Sequence, residues 1–231
     1  MVFPAGFCYN GGMPKFPIYL DMSGRRAVVI GAGSVAVRKV LALHEAEARV
    51  TVVAERIDPS HSDSIDLADV ELILNLYSKN YLVGATLVIA ATNDMTLNRQ
   101  VYHDCQELQI LCNVVDQPKL CDFYTPAVVK RGDLHIAIST DGNCPAYAGH
   151  VRQKLEMLFT ETHGRFVEQL QKVRTQILEQ VSEPNQRKTL LGQLAGDESF
   201  DIYNRKGQQH WIEYANDRIT RSITASQSEN P

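Results

Sequence analysis

Six residues constrain this chain more than any others: Gly31-Ala32-Gly33-Ser34-Val35-Ala36. They follow the apolar run Ala27-Val28-Val29-Ile30. They open a stretch, Ser34 to Glu45, in which Val37, Val40, Leu41 and His44 recur at helical spacing. In a GxGxxA placed between strand and helix, the first glycine permits the tight turn. The second lets backbone approach a pyrophosphate, and Ala36 keeps the helix close to the strand. The helix N-terminus then offers unpaired N–H groups and a partial positive charge. The spacing predicts the opening βαβ unit of a dinucleotide-binding domain; the bland alternative is a Gly-rich turn that only packs.

The chain continues in the same alternation. Arg49 to Val53 is a second β-branched run and Leu72-Ile73-Leu74 a weaker third. Ala85 to Ala91 is a fourth, followed by a helix containing Asn98 to Leu108, and Ile110 to Val115 is a fifth. Strands separated by helices form a parallel sheet, so the fold class expected is α/β, a Rossmann-like doubly wound sheet. After Pro118 the pattern changes. Tyr124 to Lys130 and Leu134 to Ser139 read as a hairpin turning at Lys130-Arg131-Gly132-Asp133. Pro145 opens a helix to about Thr160. Residues 164–181 form a second helix, with Phe166, Leu170, Val173, Ile177 and Val181 on one apolar stripe. Ser182-Glu183-Pro184-Asn185 ends it, the remainder is helical in pieces, and Ala225 to Pro231 reads as a frayed tail. The expected organisation is a dinucleotide-binding domain over 1–117, a segment over 118–150 and a helical C-terminal domain over 151–231.

Ligands of open parallel sheets bind at the carboxyl ends of the strands, and polar residues follow three of those ends, with a further polar loop after the hairpin. Glu55, just past the second strand, is placed to hold ribose hydroxyls. Arg56 beside it is a base of the kind that receives a 2′-phosphate, and the balance favours NAD. Thr92 and Asn93 follow the fourth strand and are candidates for the nicotinamide ribose or the adjacent phosphate. Asn93 or Asp94 would equally serve as a helix cap. Asn113 and Asp116 lie in Cys112-Asn113-Val114-Val115-Asp116-Gln117-Pro118. Asp116 is either a proton acceptor beside the nicotinamide or a turn-forming residue. Ser139 and Thr140, in the small polar loop before Pro145, either bind an anion at the helix start or merely turn and cap.

Composition excludes several classes. The net charge is −4, with 12 basic and 16 acidic residues in 1–149 and 11 of each in 150–231, so no basic surplus favours nucleic acid. No apolar run approaches the ~20 residues of a membrane span. Five cysteines without a CxxC pair read as reduced, buried thiols, and no disulfide scaffold or zinc site is expected. The seven histidines lack ligand spacing, with His44 on the apolar face of the first helix and His135 inside a strand. A cytoplasmic location follows from the thiols and from an N-terminus unlike a secretory signal. Met13 is a candidate start, with residues 1–12 an upstream extension.

Taken together and in order, PIYLDMSGRRAVVIGAGSVAVRKV, VIAATND, ILCNVVDQP and FYTPAVVKRGDLHIAISTDGNCPAYAGHVRQKLE resemble the precorrin-2 dehydrogenase family, the N-terminal module of siroheme synthases. The likeness is close over about residues 14–160. It implies oxidation of precorrin-2 to sirohydrochlorin with NAD as acceptor, and a homodimer built largely by residues 118–150. Asp116 matches the family's essential aspartate, and Ser34, Val35, Glu55 and Arg56 match its dinucleotide contacts. Some relatives also insert Fe²⁺ or Co²⁺, with the same aspartate. Asp141 and Cys144 depart from the Gly and Ser or Thr of some relatives. A flat polycarboxylate substrate calls for basic groups, and Lys119, Lys130, Arg131 and Arg152 are the nearest by sequence. Phe123, Tyr124 or Tyr147 would supply an apolar shelf. The rival readings are a dehydrogenase that is also a chelatase, and an NAD-sensing regulatory module without catalysis.

Overall fold

The computed structural model describes residues 15–57, 60 and 70–228. The proposed start at Met13, the extension 1–12, Cys8 and His61 lie outside them. Two compact units divide at Thr125/Pro126.

The first unit holds β1 (Arg26–Ile30), α1 (Ser34–Glu45), β2 (Arg49–Ala54), β3 (Glu71–Leu74), β4 (Leu87–Ala90), α2 (Met95–Leu108) and β5 (Leu111–Val114). All four strand pairings are parallel and the order is β3-β2-β1-β4-β5. The chain starts in the middle strand, adds outward on one side, then returns to add on the other. That reversal leaves a crevice at the carboxyl ends of β1 and β4. Alternation in the strands separates the two sides of the sheet. Ala27, Val29, Val50, Val52, Leu87 and Ile89 pack with Ala36, Val37 and Val40 of α1. Val28, Ile30, Val53, Val88, Ala90, Cys112 and Val114 pack with Val101 and Cys105 of α2. Both faces are covered, which is why the strands read as unbroken apolar runs.

Two expectations need correction here, one on the stripe of α1 and one on the cysteines. His44 and Leu41 are exposed, and the buried stripe of α1 is Ala36, Val37, Val40 and Leu43. α2 begins at Met95, because Asp94 caps it: one carboxylate oxygen accepts from the N–H groups of Thr96 (2.8 Å) and Leu97 (3.2 Å). Of the cysteines, Cys105 and Cys112 are buried, Cys121 is half-buried and Cys144 is exposed.

The second unit contains the hairpin β6 (Ala127–Arg131) and β7 (Leu134–Ile138). It then adds α3 (Pro145–Leu158), α4 (Glu161–Gln180), α5 (Pro184–Leu194) and α6 (Asp197–Ser228). α6 is broken at Gly207, whose φ of 83° is open to glycine. It continues as helix to Ser228, where a frayed tail from Ala225 was expected. The core of this unit gathers Phe166, Val173, Ile177, Leu190, Leu194, Tyr203 and Ile219 around the fully buried Trp211. The Trp211 indole N–H donates to Ser199 Oγ at 2.7 Å, so its one polar atom is satisfied. Gly164 lets α4 press against the hairpin, since a Cβ there would collide with the carbonyl of Arg131.

Candidate functional site

The strand ends are brought level by the sheet register. Gly31 N–H donates to Val53 O (2.8 Å), Ala91 N–H to Ile30 O (2.8 Å) and Val115 N–H to Ala90 O (3.0 Å). The turns leaving β2, β1, β4 and β5 therefore lie side by side, and a cleft of about 670 Å³ opens over those of β2, β1 and β4; the turn after β5, with Asp116, does not line it. Gly31, Gly33, Glu55, Arg56, Thr92 and Asn93 all line it. The expected cofactor residues from three separate turns are thus brought together. Ser34 and Val35 follow in the first turn of α1 and are not among the residues that line the cleft.

The two glycines differ physically. Gly31 has φ 113°, and a Cβ there would sit 2.6 Å from Ala91 O, so both conformation and space demand glycine. At Gly33 a Cβ would meet nothing within 4 Å. The space over Gly33 is open for a ligand to reach backbone.

The two helix starts at the cleft differ as well. α2 is closed by the Asp94 carboxylate. α1 has no side-chain cap and no acid in its first turn, so its leading N–H groups and positive dipole end remain available. An open cradle, an uncapped helix start and a carboxylate past β2 are the donor set for a dinucleotide: pyrophosphate at Gly33 and α1, ribose at Glu55. The residues present fit that group.

Thr92 serves the protein first. Its hydroxyl donates to Asn98 Oδ1 (2.8 Å), and the Asn98 amide donates to Thr92 O (3.0 Å), with Asn98 buried. That leaves Asn93, exposed at the rim, as the unengaged side chain of this turn. Sequence reasoning did not single out Asn75 and Tyr77, which follow β3 and complete the outer wall of the cleft. The Tyr77 hydroxyl donates to Asp104 Oδ2 (2.7 Å), and Gln100 donates to Asp104 Oδ1 (3.1 Å). Burial and that carboxylate hold the phenol far above the ordinary tyrosine range. The only signal was that both residues lie past a strand, and that strand is short.

Asp116 is exposed, two residues beyond β5, with φ 59°, a left-handed conformation that Asp tolerates. Its loop is tied from behind. Cys121 Sγ lies 3.2 Å from both Val114 O and Gln117 O, the carbonyls that flank Asp116. Burial raises the Cys121 pKa, which keeps it a thiol donor. Asn113 is buried, and its amide donates to Phe123 O at 2.8 Å, anchoring the same loop. Lys119 is exposed in the 3-10 turn Pro118–Leu120.

Ser139 and Thr140 belong to the second unit. Ser139 Oγ accepts from the N–H of Asp141 (3.0 Å) and Thr140 Oγ1 from that of Cys144 (3.1 Å), so both hydroxyls close the turn before α3. Arg131 donates to the carbonyls of Phe159 (2.8 Å) and Glu156 (3.3 Å), clamping the end of α3. Arg152 pairs with Glu156. Among the described residues no cluster of His, Cys, Asp or Glu is arranged to hold a metal ion. None of their helices is long and apolar enough to cross a membrane.

Comparison with known proteins agrees with this geometry. Residues 18–127 match a family model of NAD(P)-binding proteins, and residues 131–158 match that of the sirohaem biosynthesis protein central region. The chain is 33% identical over 219 residues to the siroheme synthase of Actinobacillus pleuropneumoniae serotype 7 (strain AP76), covering 95% of this chain and 44% of that protein. It is 40% identical over 155 residues to the siroheme synthase of Psychrobacter cryohalolentis, covering 66% of this chain and 29% of that protein. The chain thus spans less than half the length of these synthases. Among solved structures, SirC, precorrin-2 dehydrogenase, superposes with a TM-score of 0.71 at 22% identity, over 90% of this chain and 100% of that one, and so shares the fold.

Proposed function

This chain belongs to the precorrin-2 dehydrogenase family, the N-terminal module of siroheme synthases, and from that premise we propose that it oxidises precorrin-2 to sirohydrochlorin with NAD as acceptor. The observation that carries the reading is the uncapped start of α1 beside the open space at Gly33, facing a cleft rimmed by Glu55. The bound nicotinamide supplies the hydride acceptor. The chain's own residues do the rest. The N–H groups of the first turn of α1, at Ser34 and Val35, bind the pyrophosphate. Glu55 accepts from the ribose hydroxyls, and its charge disfavours a 2′-phosphate, which makes NAD the preferred form despite Arg56. Asn93 fixes the nicotinamide half, and Thr92 shapes the turn that presents it.

Asp116 stands one strand over and in solvent contact, and its carboxylate accepts the proton that the macrocycle gives up as its hydride leaves. The two electrons and one proton depart as hydride, and the second proton passes to Asp116. Lys119 contributes charge for a substrate carboxylate. Asn113 acts by holding the loop. Ser139 and Thr140 shape the polar turn before α3 in the second unit. The enzyme acts as a cytoplasmic homodimer.

An anaerobic assay tests this. Protein is mixed with precorrin-2 and NAD⁺, and the NADH absorbance and the sirohydrochlorin spectrum are followed before and after Co²⁺ is added. Stoichiometric NADH and sirohydrochlorin are expected. NAD⁺ binding without NADH formation would overturn the dehydrogenase in favour of a sensing module. Metal insertion faster than the protein-free blank would add chelation to the activity.

A further inference from the structure

We infer that Lys39, with Lys15 beside it, is a carboxylate anchor for the tetrapyrrole on the stretch of chain that leaves Asp116. The inference rests on the dehydrogenase reading and names part of its substrate site. Lys39 lies in the second turn of α1, beyond the end that faces the pyrophosphate. Val115 and Phe123 pack against the same core as Val37 and Val40 of this helix. The Asp116 loop and its return segment therefore run alongside α1. From there Lys39 Nζ donates to the hydroxyl of Thr125.

A hydroxyl is a weaker counterpart than a carboxylate for an ammonium on a half-buried side chain. Some half-buried cations have carboxylates, as Arg131 has Glu161 and Arg152 has Glu156, and others have backbone carbonyls, as Arg26 has Val83 O and Arg187 has Val181 O; Lys39 has neither. Among the described residues Lys39 has no acid within ion-pair distance. The charged or titratable groups that bear on it are Arg38 and the thiol of Cys121. Burial first, and Arg38 second, pull its pKa below the ordinary lysine value. The one acid in the return segment, Asp122, is turned to other work, accepting from Cys112 N–H (2.8 Å) and from the Gln106 amide (3.1 Å).

Lys15 arrives from a different part of the chain. Its Nζ lies 5.2 Å from the centroid of the Tyr124 ring, and its charge also bears on Cys121. The Tyr124 hydroxyl reaches Pro118 O at 3.5 Å, so the ring closes the loop that carries Asp116 and Lys119. Two ammonium groups without acids thus flank residues 121–125, beside a half-buried aromatic ring. That combination suits an apolar disc with carboxylates on its rim. Lys39 commits one N–H to Thr125 and keeps two for a carboxylate.

The test uses the full-length chain and uroporphyrin I, a stable macrocycle with eight carboxylates, titrated by absorbance in the presence of NAD⁺. Lys39→Met should weaken uroporphyrin binding about tenfold, the usual worth of one charge-assisted hydrogen bond. Lys39→Arg should stay within about twofold, and Lys15→Met should lose a smaller factor. The Lys39→Met protein should also show a shallower salt dependence of that affinity. NADH affinity should be unchanged in all three. Unaltered uroporphyrin binding by Lys39→Met, with normal wild-type binding, would overturn the anchor alone. A parallel loss of NADH affinity would overturn it too, by showing that Lys39 acts through the fold. A wild-type protein that binds no tetrapyrrole would overturn both the anchor and the dehydrogenase reading.

Discussion

At the scale of single residues, the two motif glycines illustrate how one pattern serves two purposes. Gly31 is required by the fold, because φ 113° and the Ala91 carbonyl leave no place for a Cβ. Gly31→Ala should lower stability by about 3 kcal/mol, read as a shift of the urea midpoint, with NAD binding lost in consequence. Gly33 has open space over it, and in the proposed function that space belongs to the ligand. Gly33→Val should leave the urea midpoint within about 0.5 kcal/mol of wild type, apart from the modest cost of valine at a helix start, and abolish NAD binding by calorimetry. Retained affinity in the valine variant would remove the pyrophosphate from Gly33. Asp116→Asn should keep NAD binding and lower kcat by a factor of about 10² or more, since the amide cannot accept the proton. Full activity would take Asp116 out of the chemistry. Asp116 itself was legible in the sequence as a carboxylate leaving a strand end, but its left-handed backbone and its tie to Cys121 were not. That tie joins residues whose closeness depends on the return of the chain.

At the scale of elements, the capping difference between α1 and α2 is why the proposed pyrophosphate site falls at one helix start and not at the other. The sequence showed Asp94 as a possible cap; only the coordinates show that no side chain does the same for α1. In the second unit, α4 is held by close approach at Gly164. Gly164→Ala should therefore destabilise by about 2 kcal/mol, although alanine is the better helix former by about 1 kcal/mol. A stabilised variant in thermal unfolding would mean that the hairpin gives way easily. Ser199→Ala removes the hydroxyl that accepts from the buried Trp211 indole and should cost about 1–3 kcal/mol, visible in tryptophan-monitored unfolding. The apolar stripe of α4 was readable from its 3.6-residue period. The continuation of α6 to Ser228 was not, because its polar sequence has little amphipathic pattern.

At the scale of the whole molecule, the chain carries a net charge of −4 while the proposed substrate and cofactor are both anions. Attraction must therefore be local, at the α1 start and at lysines near Asp116, and not a property of the overall field. The KM for precorrin-2 should rise as salt is raised from about 50 to 500 mM, as the Debye length shortens to a few ångströms. A flat dependence would point to apolar contacts as the main source of affinity. The homodimer predicts a light-scattering mass twice the 25.8 kDa of one chain, at any concentration in the assay range. A monomer under those conditions would remove the dimer from the proposal.

What the sequence by itself determined is the order of strands and helices, the turn at Gly31-Ala32-Gly33 and the end of the sheet at which a ligand binds. These follow from local rules: side-chain periodicity, the conformational freedom of glycine and the handedness of βαβ units. What only the tertiary structure decided is which polar groups at that end remain available. Thr92 is taken by Asn98, Asn113 by Phe123, Arg131 by Phe159 and Tyr77 by Asp104. Lys39, which no motif in the sequence singles out, is half-buried and donates to Thr125. Several of these partners stand far apart in the chain, and a hydrogen bond is made by atoms that meet in space. No local pattern in the residues records that meeting.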